Sequence, residues 1–127
     1  MYDTPSADEV LAGVARYLRE EAGPALTGRL AFHARVAANA VDLVRRELAL
    51  GPDAVSEART RLKALLGRDG SIAELEQALC ETIASGKIDL NDPALVDHLW
   101  KTTLDTLAVE QPSYATYRRA AAETTKE

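Results

Sequence analysis

From Gly28 to Leu50 the chain runs "GRLAFHARVAANAVDLVRRELAL", with no proline and no glycine after the first residue. As a helix this stretch is about 34 Å long at 1.5 Å per residue. At 100° per residue, Phe32, Val36, Ala40, Leu43 and Val44 share one side. Leu30, Ala37, Val41 and Leu48 occupy another, about a quarter turn away. An apolar arc this wide predicts a central helix touched by several neighbours.

Punctuation elsewhere repeats the helical pattern. Ser6 followed by Glu9 is a capping box, and Val10, Leu11, Val14, Tyr17 and Leu18 then recur until "EAGP". Gly13 lies inside that segment and points to a close helix contact. Gly51-Pro52 is expected to end the long helix, with Asp53 capping the next, whose apolar stripe is Val55, Ala58, Leu62, Leu65 and Leu66. After the turn "GRDG", Ser71 and Glu74 form a second capping box, and Ile72, Leu75, Leu79 and Ile83 carry the helix to Gly86. Asp92 caps a further helix, with Pro93 in its first turn and Leu95, Leu99, Trp100 and Leu107 expected in the core. Pro112 then interrupts, leaving a short helix and a tail that frays over 119–127. No strand pattern competes. The expectation is all-α: one domain over 1–127, an antiparallel bundle of about five helices with a central helix near 28–50.

Net charge is −5, and it is unevenly placed. Residues 1–70 hold ten Lys/Arg and ten Asp/Glu, whereas residues 71–127 hold five and ten. No net basic face is available to displace counterions, which argues against a nucleic-acid binder. No apolar run approaches the roughly 18 residues of a membrane span. "MYDTPSADEV" lacks the regions of a signal peptide, so cytoplasmic residence is expected. Cys80 is the only cysteine, excluding a disulfide scaffold or a Cys-based zinc site within one chain.

Reactive constellations are missing too. There is no Walker A sequence, no GxGxxG, no HExxH and no ExxH pair, and His33 and His98 fall on different helices. Glu74 and Glu81 read as a solvated face, Cys80 as a buried inert thiol, and Trp100 as a core anchor. No enzyme, cofactor or metal is expected.

The polar residues of the long helix form two rows. Arg35, Asn39, Asp42 and Arg46 make one stripe, while Arg29 and His33, with Glu47, edge an apolar face. On a structural reading, Asp42 pairs with Arg46, Arg35 pairs with Asn39, and His33 satisfies a loop carbonyl. On a functional reading, the stripe binds carboxylates or phosphates through arginine. Beyond Pro112, Tyr114 and Tyr117 lie three apart with Arg118 beside them, residue types enriched at interaction hot spots. Their alternative is to cover the end of the bundle.

"GRLAFHARVAANAVDLVRREL", "TTLDTLAVEQPSYATYR" and the opening "DTPSADEVLAGVARYLRE" together resemble a family of small all-helical bacterial proteins of unassigned function. Genes of that family lie beside aminoglycoside-phosphotransferase-like kinases and acyl-CoA dehydrogenases. Ser113 departs from the pattern, in which a basic residue is common after the proline. The resemblance implies a non-catalytic accessory subunit of such a kinase, acting on hydroxyacyl-CoA in acyl-CoA catabolism, with the kinase supplying the ATP and Mg²⁺ site. Arg29, His33, Arg35, Asn39 and Arg46 are then candidates for partner carboxylates or CoA phosphates, joined by Tyr114, Tyr117 and Arg118. A self-contained module binding a small anion is the alternative, and a homodimer stays open.

Overall fold

The computed structural model describes residues 3–125. Among the described residues there are five helices and no strand: α1 (Ala7–Tyr17), α2 (Gly28–Leu66), α3 (Ile72–Ala84), α4 (Pro93–Glu110) and α5 (Ala115–Thr125). The all-α class is as the periodicity predicts. The tail expected to fray from residue 119 is helical through Thr125, and residues 126 and 127 lie outside the described residues.

Local chemistry sets most helix ends. Ser6 Oγ accepts the Glu9 N–H at 3.1 Å and Glu9 Oε2 accepts the Ser6 N–H at 2.7 Å, so the box closes in both directions. Ser71 Oγ accepts the Glu74 N–H at 3.2 Å. Asp92 Oδ1 accepts from Ala94 and Leu95, with Pro93 at the first helical position. Gly67, at φ +67°, follows α2 in the left-handed conformation that glycine adopts without strain.

Two expected breaks are absent. α2 continues through Gly51-Pro52 as one helix of 39 residues, so Asp53 lies inside it rather than capping a new one. Pro52 forfeits the hydrogen bond that residue 52 would give to Leu48. Its ring is exposed, and packing on either side holds the helix together. Nor does "EAGP" stop the first segment. α1 runs on through a π-helical turn, Leu18–Ala22, and a last turn, Gly23–Ala25. The Gly23 N–H donates to the Leu18 carbonyl five residues back, the bond that defines a π turn.

The chain divides into two compact units, Met1–Ala49 and Leu50–Glu127. In the first, α1 and the opening half of α2 bury Ala15, Ala34 and Ala38. The fully buried residues here are small, Leu11, Leu18, Val41 and Leu43 are half-buried, and other bulky residues stay out. Leu30, Phe32, Val36, Val44 and Leu48 are all exposed, as are Val10, Val14 and Tyr17 of α1. The wide apolar arc of residues 28–50 is therefore not enclosed by several neighbours as expected. Its buried positions are alanines, Val41 and Leu43 are half-buried, and five of its bulky residues face outward.

The second unit has a leucine core. Leu62 of α2, Leu75 and Leu79 of α3, and Leu95 of α4 are buried together, with Leu65, Leu66, Ile72, Ile83 and Ile88 packed against them. Each fully buried leucine contributes about 1.5–3 kcal/mol. Arg59 fastens the α2–α3 turn, donating to the Gly70 carbonyl at 2.8 Å and to Asp69 Oδ1 at 2.9 Å. Expected core positions Leu99 and Trp100 are exposed, because α4 turns Leu95 and His98 inward instead. Cys80, expected to be buried, is exposed one residue beyond the buried Ala78–Leu79 pair.

Two glycines of the first segment answer oppositely to substitution. A Cβ at Gly13 meets nothing within 4 Å, so this glycine does not mark the close contact expected of it. A Cβ at Gly23 falls 2.8 Å from the Leu18 carbonyl oxygen. Gly13→Ala is expected to stabilise by about 0.5–1 kcal/mol through helix propensity. Gly23→Ala is expected to destabilise by about 1–3 kcal/mol, because backbone must shift. Urea unfolding of the two variants beside the parent reads both signs.

Candidate interaction face

The polar stripe of α2 splits once side chains are in place. Asn39 and Asp42 turn toward α1, where Arg19 of the π turn reaches both: its Nη2 donates to Asn39 Oδ1 at 2.8 Å and its Nη1 pairs with Asp42 Oδ2 at 2.5 Å. Arg45 completes the set, with Nε 2.8 Å from Asp8 Oδ1 and Nη1 3.2 Å from Asp42 Oδ1. Asp42 thus pairs with Arg19 and Arg45, not with Arg46 as the four-residue spacing suggested, and Asn39 accepts from Arg19, not from Arg35. Arg46 is half-buried beside Asp8, Asp42, Arg45 and Ala49, lining an open groove with them.

This network lowers carboxylate pKa values. Arg45's hydrogen bond holds Asp8 below the usual carboxylate range. Burial pushes Asp42 up, but hydrogen bonds and charge from Arg19 and Arg45 outweigh it, leaving Asp42 low as well. Sequence reasoning missed Arg19 and Asp8, because their pairs span 20 to 37 residues and cross between helices, and it passed over Arg45, which pairs with Asp42 at i,i+3. The uninterpreted signal was the "RE" run before Gly23, where a π turn redirects Arg19.

The remaining candidates point outward. Arg29, His33 and Arg35 are exposed on α2. The Arg35 guanidinium lies 6.0 Å from the centre of the Phe32 ring, and the His33 ring stands 5.8 Å from it, tilted by 54°. Phe32 is itself 54% exposed, which leaves its ring available between the Arg35 guanidinium and the His33 ring. A bulky apolar face edged by positive groups results.

Tyr114, Tyr117 and Arg118 belong to the second unit. The Tyr114 N–H donates to the Gln111 carbonyl, and its own carbonyl accepts the Arg118 N–H, starting α5. Tyr114 is exposed and Tyr117 half-buried.

His98, 4% exposed, accepts the Arg61 Nε–H on Nδ1 at 3.1 Å, and Arg61 Nη2 approaches Thr102 Oγ1 at 3.4 Å. An imidazole that accepts on Nδ1 is neutral, with its proton on Nε2. Burial first, and then the Arg61 charge, hold its pKa below the ordinary 6.5, against weaker pulls from Glu76 and Asp97. Among the described residues, no three His, Cys, Asp or Glu side chains gather as a metal-holding group, and no helix is long and apolar enough to cross a membrane.

Fold and surface define an all-helical protein that presents bulky apolar side chains outward from a charged, locally satisfied scaffold. More particularly, residues 24–114 match the family described as a domain of unknown function, DUF6285, and the chain belongs to it. The matched span takes in α2, α3 and α4; Asp8 and Arg19 lie outside it. No curated protein and no solved structure matches the chain.

Acid should act on this scaffold in two windows. The unfolded His98 protonates near its ordinary 6.5 while the folded imidazole resists, so stability falls as pH drops below that value. His98→Asn, which keeps an acceptor for Arg61, is expected to flatten this slope. Asp8 and Asp42 add stability above their unfolded value of 3.8 and lose it as pH falls through the lower folded values. Asp42→Asn is expected to cost about 1 kcal/mol at neutral pH and to shrink the second window. Unfolding free energies from pH 7 to pH 3 check both.

Proposed function

We propose that this protein is a non-catalytic interaction subunit that docks on a larger protein through the outward face of α2. The observation that carries the reading is the exposure of Phe32, Val36 and Val44 along one side of α2, with Leu30 and Leu48 exposed about a quarter turn away and Arg29, His33 and Arg35 exposed on the same helix. Exposed apolar groups gathered on one surface favour a protein partner. Arg29 and Arg35 fit carboxylates around an apolar patch on that partner. A small anionic ligand is the weaker alternative: its sites are concave, and Arg29, His33 and Arg35 stand exposed on the outside of a helix.

The partner class follows from the likeness drawn from sequence: a phosphotransferase-like kinase acting on hydroxyacyl-CoA. Such a kinase brings its own ATP and Mg²⁺ site. This chain would stabilise it or complete its acyl-CoA pocket, with Arg29 and Arg35 near partner carboxylates or CoA phosphates. Tyr114 and Arg118 are a second candidate contact, from the other unit.

Co-expression with the kinase, size-exclusion chromatography and a phosphorylation assay with and without this protein provide the test. Co-elution and a higher or longer-lived activity are expected. Phe32→Asp with Val36→Asp should abolish co-elution while shifting stability by less than about 0.5 kcal/mol, since both side chains are exposed. Arg29→Ala with Arg35→Ala should weaken binding and reduce its salt dependence. A kinase that is fully stable and active alone and never co-elutes overturns the proposal.

A further inference from the structure

Arg61 of α2 is a half-buried cation bonded to α4 by two uncharged groups. Its Nε–H goes to Nδ1 of the buried His98 at 3.1 Å, and its Nη2 stands 3.4 Å from Thr102 Oγ1. No carboxylate pairs with it among the described residues. Further along α4 lies the converse case. Asp105 is a half-buried carboxylate with no hydrogen bond or ion pair among the described residues. His98, Thr102 and Asp105 follow at i, i+4 and i+7, which places them in one row of the helix. Partly buried charges without counterions are costly, and this row keeps two of opposite sign apart.

We propose that Arg61 is an acid-driven latch, which leaves His98 when that ring takes up a proton and moves one turn along α4 to Asp105. A protonated imidazole carries N–H on both nitrogens. Nδ1 then presents a donor and a positive charge to the Arg61 Nε–H, and the bond between them has no acceptor. Thr102 marks the direction of departure. Nη2 already lies beside its hydroxyl, and Asp105 is about 4.5 Å further along the helix at 1.5 Å per residue. The new bond is charge-assisted, as the old one is not.

The charges around His98 are Arg61 on α2, which opposes the proton, and Glu76 on α3 and Asp97 on α4, which favour it. Asp97 is held by Lys101 at 3.0 Å. Glu76 is exposed, and so is Glu57, one turn back from Arg61 on α2. Asp105 is the carboxylate in the row and the less solvated one, where attraction is screened least. Burial and the Arg61 charge keep His98 neutral at pH 7, so the latch changes over on the acid side of 6.5. One proton thereby selects which of two levels of α4 is tied to α2. The device lies wholly within the second unit and is independent of the docking face proposed for α2.

NMR of the full chain from about pH 7.5 to about pH 4.5 provides the test, following the His98 ring and the Arg61 Nε–H. The Arg61 signal should move with the midpoint of His98, not with that of His33, and should stay protected from solvent exchange below it. Asp105→Asn should lower the His98 midpoint by about half a pH unit and abolish that low-pH protection. In an Arg61→Met background the same substitution should leave the His98 midpoint in place, which separates partner exchange from the direct charge of Asp105. Amide spectra at the starting pH confirm that each variant is folded. An Arg61 Nε–H that is unmoved while His98 titrates overturns the proposal. So does an Asp105→Asn chain that behaves as the parent, an Asp105 effect that persists without Arg61, or a His98 that takes its proton only when the chain unfolds.

Discussion

Asp42 accepts two guanidiniums at once, from Arg19 at the end of the first helical segment and from Arg45 one turn along its own helix. The first compact unit rests on this arrangement, because its fully buried apolar residues are alanines and its larger apolar residues are at most half-buried. Alanine burial releases little apolar surface and specifies no register. Charge-assisted hydrogen bonds are directional and supply what the alanines lack. Asp8 extends the set toward the helix start, so α1 is held at both ends by α2 arginine and carboxylate groups. Pairing through small residues frees large ones: five bulky residues of α2 face away.

What could be read from the chain followed the range of the interaction responsible. Ser6 with Glu9 and Asp92 with Pro93 act within a turn and do in the structure what their spacing implies, whereas of the box expected of Ser71 and Glu74 the Ser71 half is made. Pro52 misled for the same local reason. A proline in mid-helix costs about 3 kcal/mol, and a reading without tertiary contacts cannot see the packing that offsets it. Burial was legible only in part. Periodicity identifies apolar sides of α2 and α4, but whether a neighbour covers each side depends on the rest of the fold. Leu95 is enclosed while Leu99 and Trp100 are not, although all three have core-like chemistry.

The candidate site divides along the same line. Asn39 and Asp42 are satisfied by Arg19, a residue with no local relation to them, and so belong to the scaffold. Arg29, His33 and Arg35 remain on the surface beside Phe32, where an external partner is the simplest use for them. The matched family span begins at Pro24, after Arg19, so one of the two partners of Asp42 comes from outside it while Arg45 lies within it.

Pro52 interrupts the hydrogen-bond ladder of α2 close to the boundary between the two compact units. Each half of the helix draws its protection from a different source: arginine–carboxylate bonds and alanines before the proline, a leucine cluster after it. One continuous helix is therefore two foldons in series. Its amides should not exchange with solvent as a single cooperative block, and the half lacking a leucine core can open while the other keeps its structure.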